Sequence, residues 1–581
     1  MRRVGLASLA LSLTLGCTGS IAEGPTGSKP TKKPPGGSMN PTDPTDPTNP
    51  VDPTNPVDPK DPTKPPSAQI TCPSNGAEIV GKRVLRRLTI PELEATIRAT
   101  FGLTATQWVG VNVPPDAGSE DGFTNNVDRL NVSPEYARGL MESSQKVASL
   151  VSGDLLTKLV PCAATGGTTC ADTFVTSFGT KLYRRPLTAA EKARYMALFD
   201  KTKTEDFKSF VYWTTSTMLQ SPNTLYRSEL GESDGKGRYK LTPYEVASQL
   251  AFTYTGGPPS PELMALAAAN KLGTADEVEA AARSLMFDGT TVKPAFREVV
   301  LRFADQWLGI SRVGNVKKDA MLYPDFNQQV QDSLAEETRQ FISSVLITDK
   351  GTVSDLLTAP YTMVDSKLAK YYGFGTAPAT GFAKAMRPAE WGVGLLAQGS
   401  LQAVHANGLY TSPTRRGHLV RTLMCEPVPP PPPTVNPVAE VNEFKTTRQR
   451  YEELHSANPE CHSCHMLMDP IGFAFEHIDS AGKYRLKEGK FDIDDSGNIA
   501  RDPMKGGDIK IKGPTELANA LAKMPEVNEC MASYMAAFAL GVSHDSAQCL
   551  VSTAAAELLK GTSIVDFYVR MSRADHFRLR Q

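Results

Sequence analysis

Residues 86–102, RRLTIPELEATIRATFG, carry the local signals that decide the fold class of this chain. Thr89 is the expected N-cap of a helix, because a proline and an acidic residue follow in what would be the first turn. Leu93 and Ile97 lie four residues apart on one face, and Gly102 stands where the last turn ends. The stretch therefore predicts an amphipathic helix that packs its apolar face against a core.

Comparable start signals recur along the chain and extend the prediction to a largely helical protein. Thr188 with Glu191, and Thr242 with Glu245, have the spacing of a capping box. Further helices are predicted over residues 133–153, 171–183, 188–203, 261–270, 275–287, 293–309, 326–348 and 365–372. Strand signals are few. The expected fold class is mainly α, with several helical subdomains and a small β-hairpin.

The hairpin is expected in residues 490–502, KFDIDDSGNIARD, with its turn at 495–497. The same stretch spaces its oxygen-bearing side chains as the first half of a calcium loop does, at Asp492, Asp494, Ser496 and Asn498. The last position of such a loop needs a bidentate glutamate, and this chain has Pro503 there. We therefore predict an ordinary tight turn, and calcium is not expected as a cofactor.

The sequence CHSCH at residues 461–465 is one C-x-x-C-H, the attachment signature of a c-type haem. On a helix, Cys461, Cys464 and His465 stand at i, i+3 and i+4, so their side chains project from the same side. The two thiols can form thioethers with the haem vinyl groups, and the imidazole can ligate the iron from one face. We therefore expect haem c as cofactor and a C-terminal helical region that is cytochrome-c-like.

Other interpretations of the CHSCH sequence stay open. The cysteines can close a structural disulfide, or supply half a zinc site that His455, His465 or His477 would complete. A redox disulfide would need a βαβ context, which the surrounding sequence lacks. The candidates for a distal iron ligand are His405, which is favoured, and Met504, Met524 and His544.

The N-terminus has the layout of an export signal. Arg2 and Arg3 form a basic start, and residues 4–15 form an apolar stretch too short to span a bilayer. Gly16 and Cys17 follow, which resembles a bacterial lipoprotein signal in which Cys17 is lipid-modified; an ordinary signal peptide is the alternative. We expect an exported protein anchored by lipid to the bacterial cell envelope, on its periplasmic or cell-surface side.

The domain organisation follows from composition and length. Residues 18–68 are rich in Pro, Thr and Asp and hold too few apolar side chains to form a core. The rest of the 581-residue chain is too long for one core. The predicted divisions are a signal peptide (1–17), a disordered linker (18–68), helical domains (69–160, 161–235, 236–375), a CxxCH-bearing domain (376–500) and a C-terminal helical domain (501–581).

Nine cysteines are present, and their arithmetic suits an oxidising compartment. Setting aside Cys17 and the CHSCH pair leaves six, which predicts three disulfides, with free buried thiols as the alternative. Local spacing favours the first two pairs and elimination gives the third: Cys162–Cys170, Cys530–Cys549 and Cys72–Cys425.

Several blocks of sequence resemble a known family. They are residues 86–102 with DGFTNN (121–126), YRRPLTAAE (183–191), residues 218–252 with RFADQWLGI (302–310), residues 405–417 with 427–433 and 461–485, and residues 507–581. The chain resembles exported bacterial multi-domain proteins made of tandem domains of unknown function, which accompany planctomycete-type cytochrome c modules. The resemblance covers nearly all of the chain after the linker and implies no assigned activity.

Two functions are compatible with these features. The first is an envelope-anchored, c-type cytochrome-like protein that transfers electrons through one covalent haem to an unknown redox partner. The alternative is a non-haem extracytoplasmic lipoprotein that binds or processes polysaccharide or another macromolecule, with CHSCH as a structural element. The near balance of 62 basic and 63 acidic residues argues against a nucleic-acid partner. Whether the protein is an enzyme is left open.

Overall fold

The structure is a computed structural model that describes residues 80–108, 110–202, 204–426, 428, 445–456, 459–544, 546–547, 558 and 560–581. All of these residues belong to one unit of the chain, Pro65–Gln581. The predicted signal peptide, the linker, Cys17, Cys72 and Cys549 lie outside the described residues.

The first helix forms as its sequence signals predict. Helix α1, Ile90–Phe101, begins after Thr89, whose hydroxyl accepts a hydrogen bond from the Glu92 N–H. The Glu92 carboxylate accepts from the Thr89 N–H in return, so that the capping box is complete. Gly102 ends the helix in the left-handed region at φ 61°, where a side chain would be strained.

The described part of the chain is mainly α. Its other helices, in chain order, are α2 (Pro134–Ser152), α3 (Leu156–Leu159), α4 (Gly167–Tyr183), α5 (Ala189–Thr202), α6 (Phe207–Leu219), α7 (Pro222–Leu225), α8 (Pro243–Thr255), α9 (Pro261–Ala268), α10 (Ala275–Met286), α11 (Pro294–Leu308), α12 (Gln328–Ile342), α13 (Val353–Thr358), α14 (Ser366–Tyr372), α15 (Gly399–Val404), α16 (Pro413–Leu423), α17 (Thr447–Ser456), α18 (Pro459–Gly472), α19 (Gly513–Leu521), α20 (Pro525–Leu540) and α21 (Ile564–Met571). Each predicted helix is present, with ends shifted by a few residues. The helix predicted over 326–348 is α12 continued by a π-helical turn, Ser343–Thr348.

The strands form only small antiparallel sheets. They are β1 (Val84–Arg87), β2 (Tyr226–Glu229), β3 (Glu232–Ser233), β4 (Tyr239–Lys240), β5 (Phe287–Asp288), β6 (Thr291–Val292), β7 (Tyr361–Val364), β8 (Ala383–Met386), β9 (Lys487–Glu488), β10 (Phe491–Asp492), β11 (Ser496–Ile499), β12 (Ile509–Lys512) and β13 (Leu579–Arg580). The pairs are β1–β2, β5–β6, β7–β8, β9–β10 and β11–β12, and β13, β4 and β3 form a three-stranded sheet in that order.

The single hairpin predicted over 490–502 is wrong in its pairing. Strand β10 pairs with β9, which precedes it in the sequence, and β11 pairs with β12, which follows it. Gly489, at φ 59°, allows the tight turn between β9 and β10. The Asp494 carboxylate accepts a hydrogen bond from the Ser496 N–H, which stabilises the turn between the two hairpins. Asp492, the first oxygen ligand of the supposed calcium loop, pairs with Lys487 at 3.1 Å.

Two large groups of buried side chains, and a smaller one that includes Leu334 and Leu368, form the interior of the described part of the chain. The first is built from α1, α2, α4, α5 and α6, where the rings of Phe101 and Phe178 stack with centroids 5.4 Å apart. The second extends from α8 to α21 and includes Tyr254, whose hydroxyl donates to the Tyr568 carbonyl at 2.8 Å. The C-terminal helices therefore pack into the same interior as the middle of the chain. None of the helices in the described residues is long and apolar enough to cross a membrane.

The disulfides confirm one predicted pair and correct the other two. Cys162 and Cys170 are bonded, as predicted. Cys425 is bonded to Cys530, with Cα atoms 5.4 Å apart, so the pairs Cys530–Cys549 and Cys72–Cys425 are wrong. The reason is tertiary: the end of α16 packs beside α20, and 105 residues of sequence separate these two cysteines. The spacing of cysteines along the chain does not predict such a tertiary contact.

Candidate functional site

Helix α18 carries the CHSCH sequence in its N-terminal half. Because the segment is helical, Cys461, Cys464 and His465 lie on one side of it, as the spacing predicts. Both cysteines are half-buried and neither is bonded to the other, whereas Cys162, Cys170, Cys425 and Cys530 form disulfides. The structure therefore does not form the structural disulfide that was an alternative for this pair.

The imidazole of His465 is held by a carboxylate one helical turn further along α18. Its Nδ1 lies 3.2 and 3.1 Å from the two carboxylate oxygens of Asp469. Asp469 is buried and also accepts a hydrogen bond of 2.6 Å from the Thr414 hydroxyl, on α16. When Nδ1 carries the proton and donates it to a carboxylate, the lone pair of the ring is on Nε2. In that tautomer the ring can ligate a metal through Nε2.

Two glycines allow α16 and α18 to approach closely enough for this contact. A β-carbon on Gly417 would clash with the carbonyl oxygen of Met468. A β-carbon on Gly472 would clash with the carbonyl oxygen of Pro413. Because backbone meets backbone at both points, Thr414 in the first turn of α16 reaches Asp469. These contacts give a physical reason for the glycines in SPTRRG and DPIG.

A buried arginine fixes the chain that follows α18. Arg416 is fully buried, and its guanidinium donates to the carbonyls of Phe475, Ile478 and Asp479 at 3.0, 2.7 and 2.8 Å. Burial lowers the pKa of Arg416 to about 10, so the group stays charged at neutral pH. Nearby, Glu476 accepts from Arg485 at 2.9 Å. Helix α16 thus holds α18 and the turn after it in one arrangement.

The sequence-based candidates for a distal ligand are placed in different surroundings. His405 follows α15, and its Nδ1 lies 3.0 Å from the Leu401 carbonyl oxygen. Burial lowers its pKa to about 4, so it is neutral at physiological pH, as a ligand must be. Met504 is almost fully exposed and Met524 is buried before α20. His544 lies with its Nε2 2.7 Å from the Ser533 hydroxyl. The role of His405 as distal ligand stays a prediction.

The zinc interpretation of CHSCH gains no ligand set in the described part of the chain. There, the one group of three metal-ligating side chains within 4.8 Å of one another is Cys425, Cys530 and His544. Two of these are joined in a disulfide. His477, a candidate fourth ligand for CHSCH, has its Nδ1 2.8 Å from the Arg485 carbonyl oxygen. His455 is on α17, and its side chain is outside the described residues.

Comparison with known proteins gives four matches to families of unknown function, in order along the chain. They are PSD3 (DUF1587) at residues 86–153, PSD5 (DUF1595) at 170–229, PSD4 (DUF1592) at 241–374 and PSCyt3 (DUF1588) at 393–488. The chain therefore contains four tandem domains of unknown function from the PSD and PSCyt series, the planctomycete cytochrome c-type domains. These matches confirm the resemblance stated from the sequence for the blocks within residues 86–488, and for residues 507–581 it stays a prediction. No curated protein and no solved structure matches the chain.

In this tandem-domain protein the site falls within the PSCyt3 match. By its name PSCyt3 is a cytochrome-like domain, and the match contains α16, α18 and the candidate His405. Cys461, Cys464 and His465 are predicted from the sequence, whereas Asp469 and Thr414 are not among the predicted site residues. The spacing of Asp469 does contain a signal, because a carboxylate four residues after a histidine on a helix stands on the same face. The spacing of Thr414 contains none, because it reaches the site across a helix interface.

Proposed function

We propose that this protein is a c-type cytochrome-like electron-transfer protein that carries one covalent haem on α18. The observation that carries the proposal is the arrangement of Cys461, Cys464 and His465. Two unpaired thiols and an imidazole share one helix side, and the buried Asp469 holds the imidazole by its Nδ1. The PSCyt3 match supports the same function class.

The donor set fits a covalently attached haem. The half-buried thiols of Cys461 and Cys464 would form the two thioethers, and His465 would supply the proximal nitrogen. When bound, the haem supplies a one-electron redox centre. The chain itself contributes the orientation of His465, because Asp469 fixes its ring and Thr414 fixes Asp469.

The same proposal includes a place and a partner. We propose that the protein is exported and anchored at the bacterial cell envelope through lipid on Cys17, and that it exchanges electrons with another redox protein there. The basis is the N-terminal sequence and the Pro-rich stretch at 18–68, which would hold the helical body away from the membrane surface. We do not expect a nucleic-acid partner, because the chain is nearly neutral.

The test is to express the full chain together with a c-type haem maturation system and to measure its absorbance and intact mass. We expect a Soret band and the added mass of one haem, which denaturation does not release. Cys461→Ala with Cys464→Ala should abolish covalent attachment. His462→Ala, an exposed position inside the same motif, is the matched control and should retain it. Colourless wild-type protein, or a variant without both thiols that keeps covalent haem, would refute the proposal.

A further inference from the structure

A cavity lies where the sequence blocks outside the CHSCH region meet. Its volume is about 40 Å³, and its lining comes from β1, the start of α1, the DGFTNN block, β2, α8, α11 and the end of α20. We name it the arginine cavity for its lining residues Arg86, Arg227 and Arg302; the one carboxylate in its lining is that of Glu92. Three positive side chains therefore share one cavity with one negative one.

Arg227 is the lining residue that most strongly indicates a bound ligand. It is 5% exposed, and its Nε and Nη1 have no hydrogen-bond partner among the described residues. The Glu229 carboxylate lies 3.4 Å from its Nε, but that carboxylate already accepts from Arg86 at 2.8 Å and from Arg580 at 2.7 Å. Three buried guanidinium groups thus depend on one carboxylate.

A second carboxylate, that of Glu92, lines the cavity, and it accepts hydrogen bonds from the Thr89 N–H and hydroxyl in the capping box. Burial lowers the pKa of Arg227. The charges of Glu229 and Glu92 oppose this effect, while those of Arg86 and Arg580 add to it. A buried charge that shares its carboxylate with two other guanidinium groups is incompletely compensated, and this has a cost in free energy. An anion beside Arg227 would remove that cost, since guanidinium donors match the geometry of carboxylate and phosphate oxygens.

The size and the remaining polar groups of the arginine cavity fit a small ligand. One water needs roughly 10–15 Å³ of such a cavity, so the space holds about three waters or one small anion. The Oδ1 of Asn125 is buried without a hydrogen-bond partner, while its Nδ2 donates to the Phe538 carbonyl at 2.6 Å. Arg302 is half-buried and Pro91 is exposed, which places that side of the cavity towards solvent.

We propose that the arginine cavity binds a small oxyanion, a carboxylate or a phosphate, with Arg227 and Arg302 as its ligands. The unpartnered Asn125 Oδ1 would accept from a hydroxyl of the ligand or from a water bound beside it. This site is separate from α18 and does not depend on haem. It gives a chemical role to sequence blocks that the electron-transfer proposal leaves unused: RRLTIPE, DGFTNN, LYRSEL and RFADQW.

The test is calorimetric titration of the full chain with sodium acetate and with sodium phosphate at constant ionic strength. We expect saturable binding of one of them at one equivalent. Arg302→Gln should weaken it at least about tenfold, the effect of losing one charge-assisted hydrogen bond. Arg297→Gln removes the same charge from the same helix, α11, outside the cavity lining, and should bind as the wild type does.

The titrations also separate the other occupants. Binding of acetate alone identifies a carboxylate ligand, and binding of phosphate alone identifies a phosphate ligand. Arg227→Met should abolish binding in protein whose circular dichroism spectrum is unchanged, and Arg302→Gln carries the test if that variant does not fold. If neither anion binds, the cavity holds only water and the proposal is wrong. Equal binding by wild type, Arg302→Gln and Arg297→Gln would also overturn it, since the anion would then lie elsewhere.

Discussion

Replacing the carboxylate that holds His465 should change the redox potential of the matured protein. In Asp469→Asn the side chain keeps its size and can still accept from Nδ1 through its amide oxygen, but it loses its negative charge. Asp469 is buried and lies 3.1 Å from Nδ1, so solvent screens that charge only weakly. The carboxylate favours the more positive oxidised state, and its removal should raise the potential.

The magnitude follows from the strength of the contact. A hydrogen bond to a charged group contributes about 1.5–3 kcal/mol, and only the part that differs between the two redox states moves the potential. A tenfold change in a one-electron equilibrium corresponds to about 59 mV, or about 1.4 kcal/mol. If the whole contribution were lost from the oxidised state, the potential would rise by about 60–130 mV, which is the upper range expected.

The assay is spectroelectrochemical titration of the matured protein. Asp492→Asn is the matched control, because it removes the same charge from the hairpin that follows α18, at a side chain that is 91% exposed. We expect no measurable shift in the control. An unchanged or lower potential in Asp469→Asn, with haem attachment and fold intact, would show that the Asp469–His465 contact does not control the iron. The proposed positioning role of Asp469 would then be wrong.

Two further predictions concern stability. Gly417→Ala should lower the free energy of unfolding by about 1–3 kcal/mol, because the new β-carbon would clash with the Met468 backbone. The control Gly375→Ala, with open space around it, should change the free energy of unfolding by less than about 0.5 kcal/mol. Urea denaturation measures both. Arg185 lowers the pKa of Glu191 to about 2, so this ion pair should stabilise the protein above about pH 4.5 and lose that effect as the pH falls towards 2. Glu191→Gln should therefore reduce the loss of stability between these pH values. An equally steep loss of stability in the variant would contradict the assignment.

The helical character of the protein was predictable because its signals are local. Thr89, Thr188 and Thr242 each start a helix through hydrogen bonds that span three residues, so a short stretch of sequence contains both partners. The hairpins were predicted less well. Asp495-Ser496-Gly497 has the composition of a turn, but the neighbours of β10 and β11 lie on opposite sides along the chain, and composition does not choose between them.

In the candidate site, too, local features were predictable from the sequence and tertiary contacts were not. Cys461, Cys464 and His465 lie within one turn of one helix, so spacing alone placed them correctly. Cys425 and Cys530 come together only because α16 and α20 pack side by side, and no local pattern encodes that. The arginine cavity is the extreme case, since Arg86, Arg227 and Arg302 come from three separate parts of the chain.

Helix α16 links the features of the CxxCH-bearing region, which has a consequence for any variant made there. In its first turn, the Thr414 hydroxyl donates to Asp469. Gly417 allows the close approach of α16 to α18, and Arg416 donates to carbonyls of the turn that follows α18. Beyond the other end of α16, Cys425 is bonded to Cys530. The helix is 11 residues long and packed along its length, so a change at the disulfide acts on the same rigid element that positions Asp469. A shift of redox potential on reduction of that disulfide would therefore be an effect on the position of α16, because the sulfur atoms lie at the opposite end of the helix from Thr414.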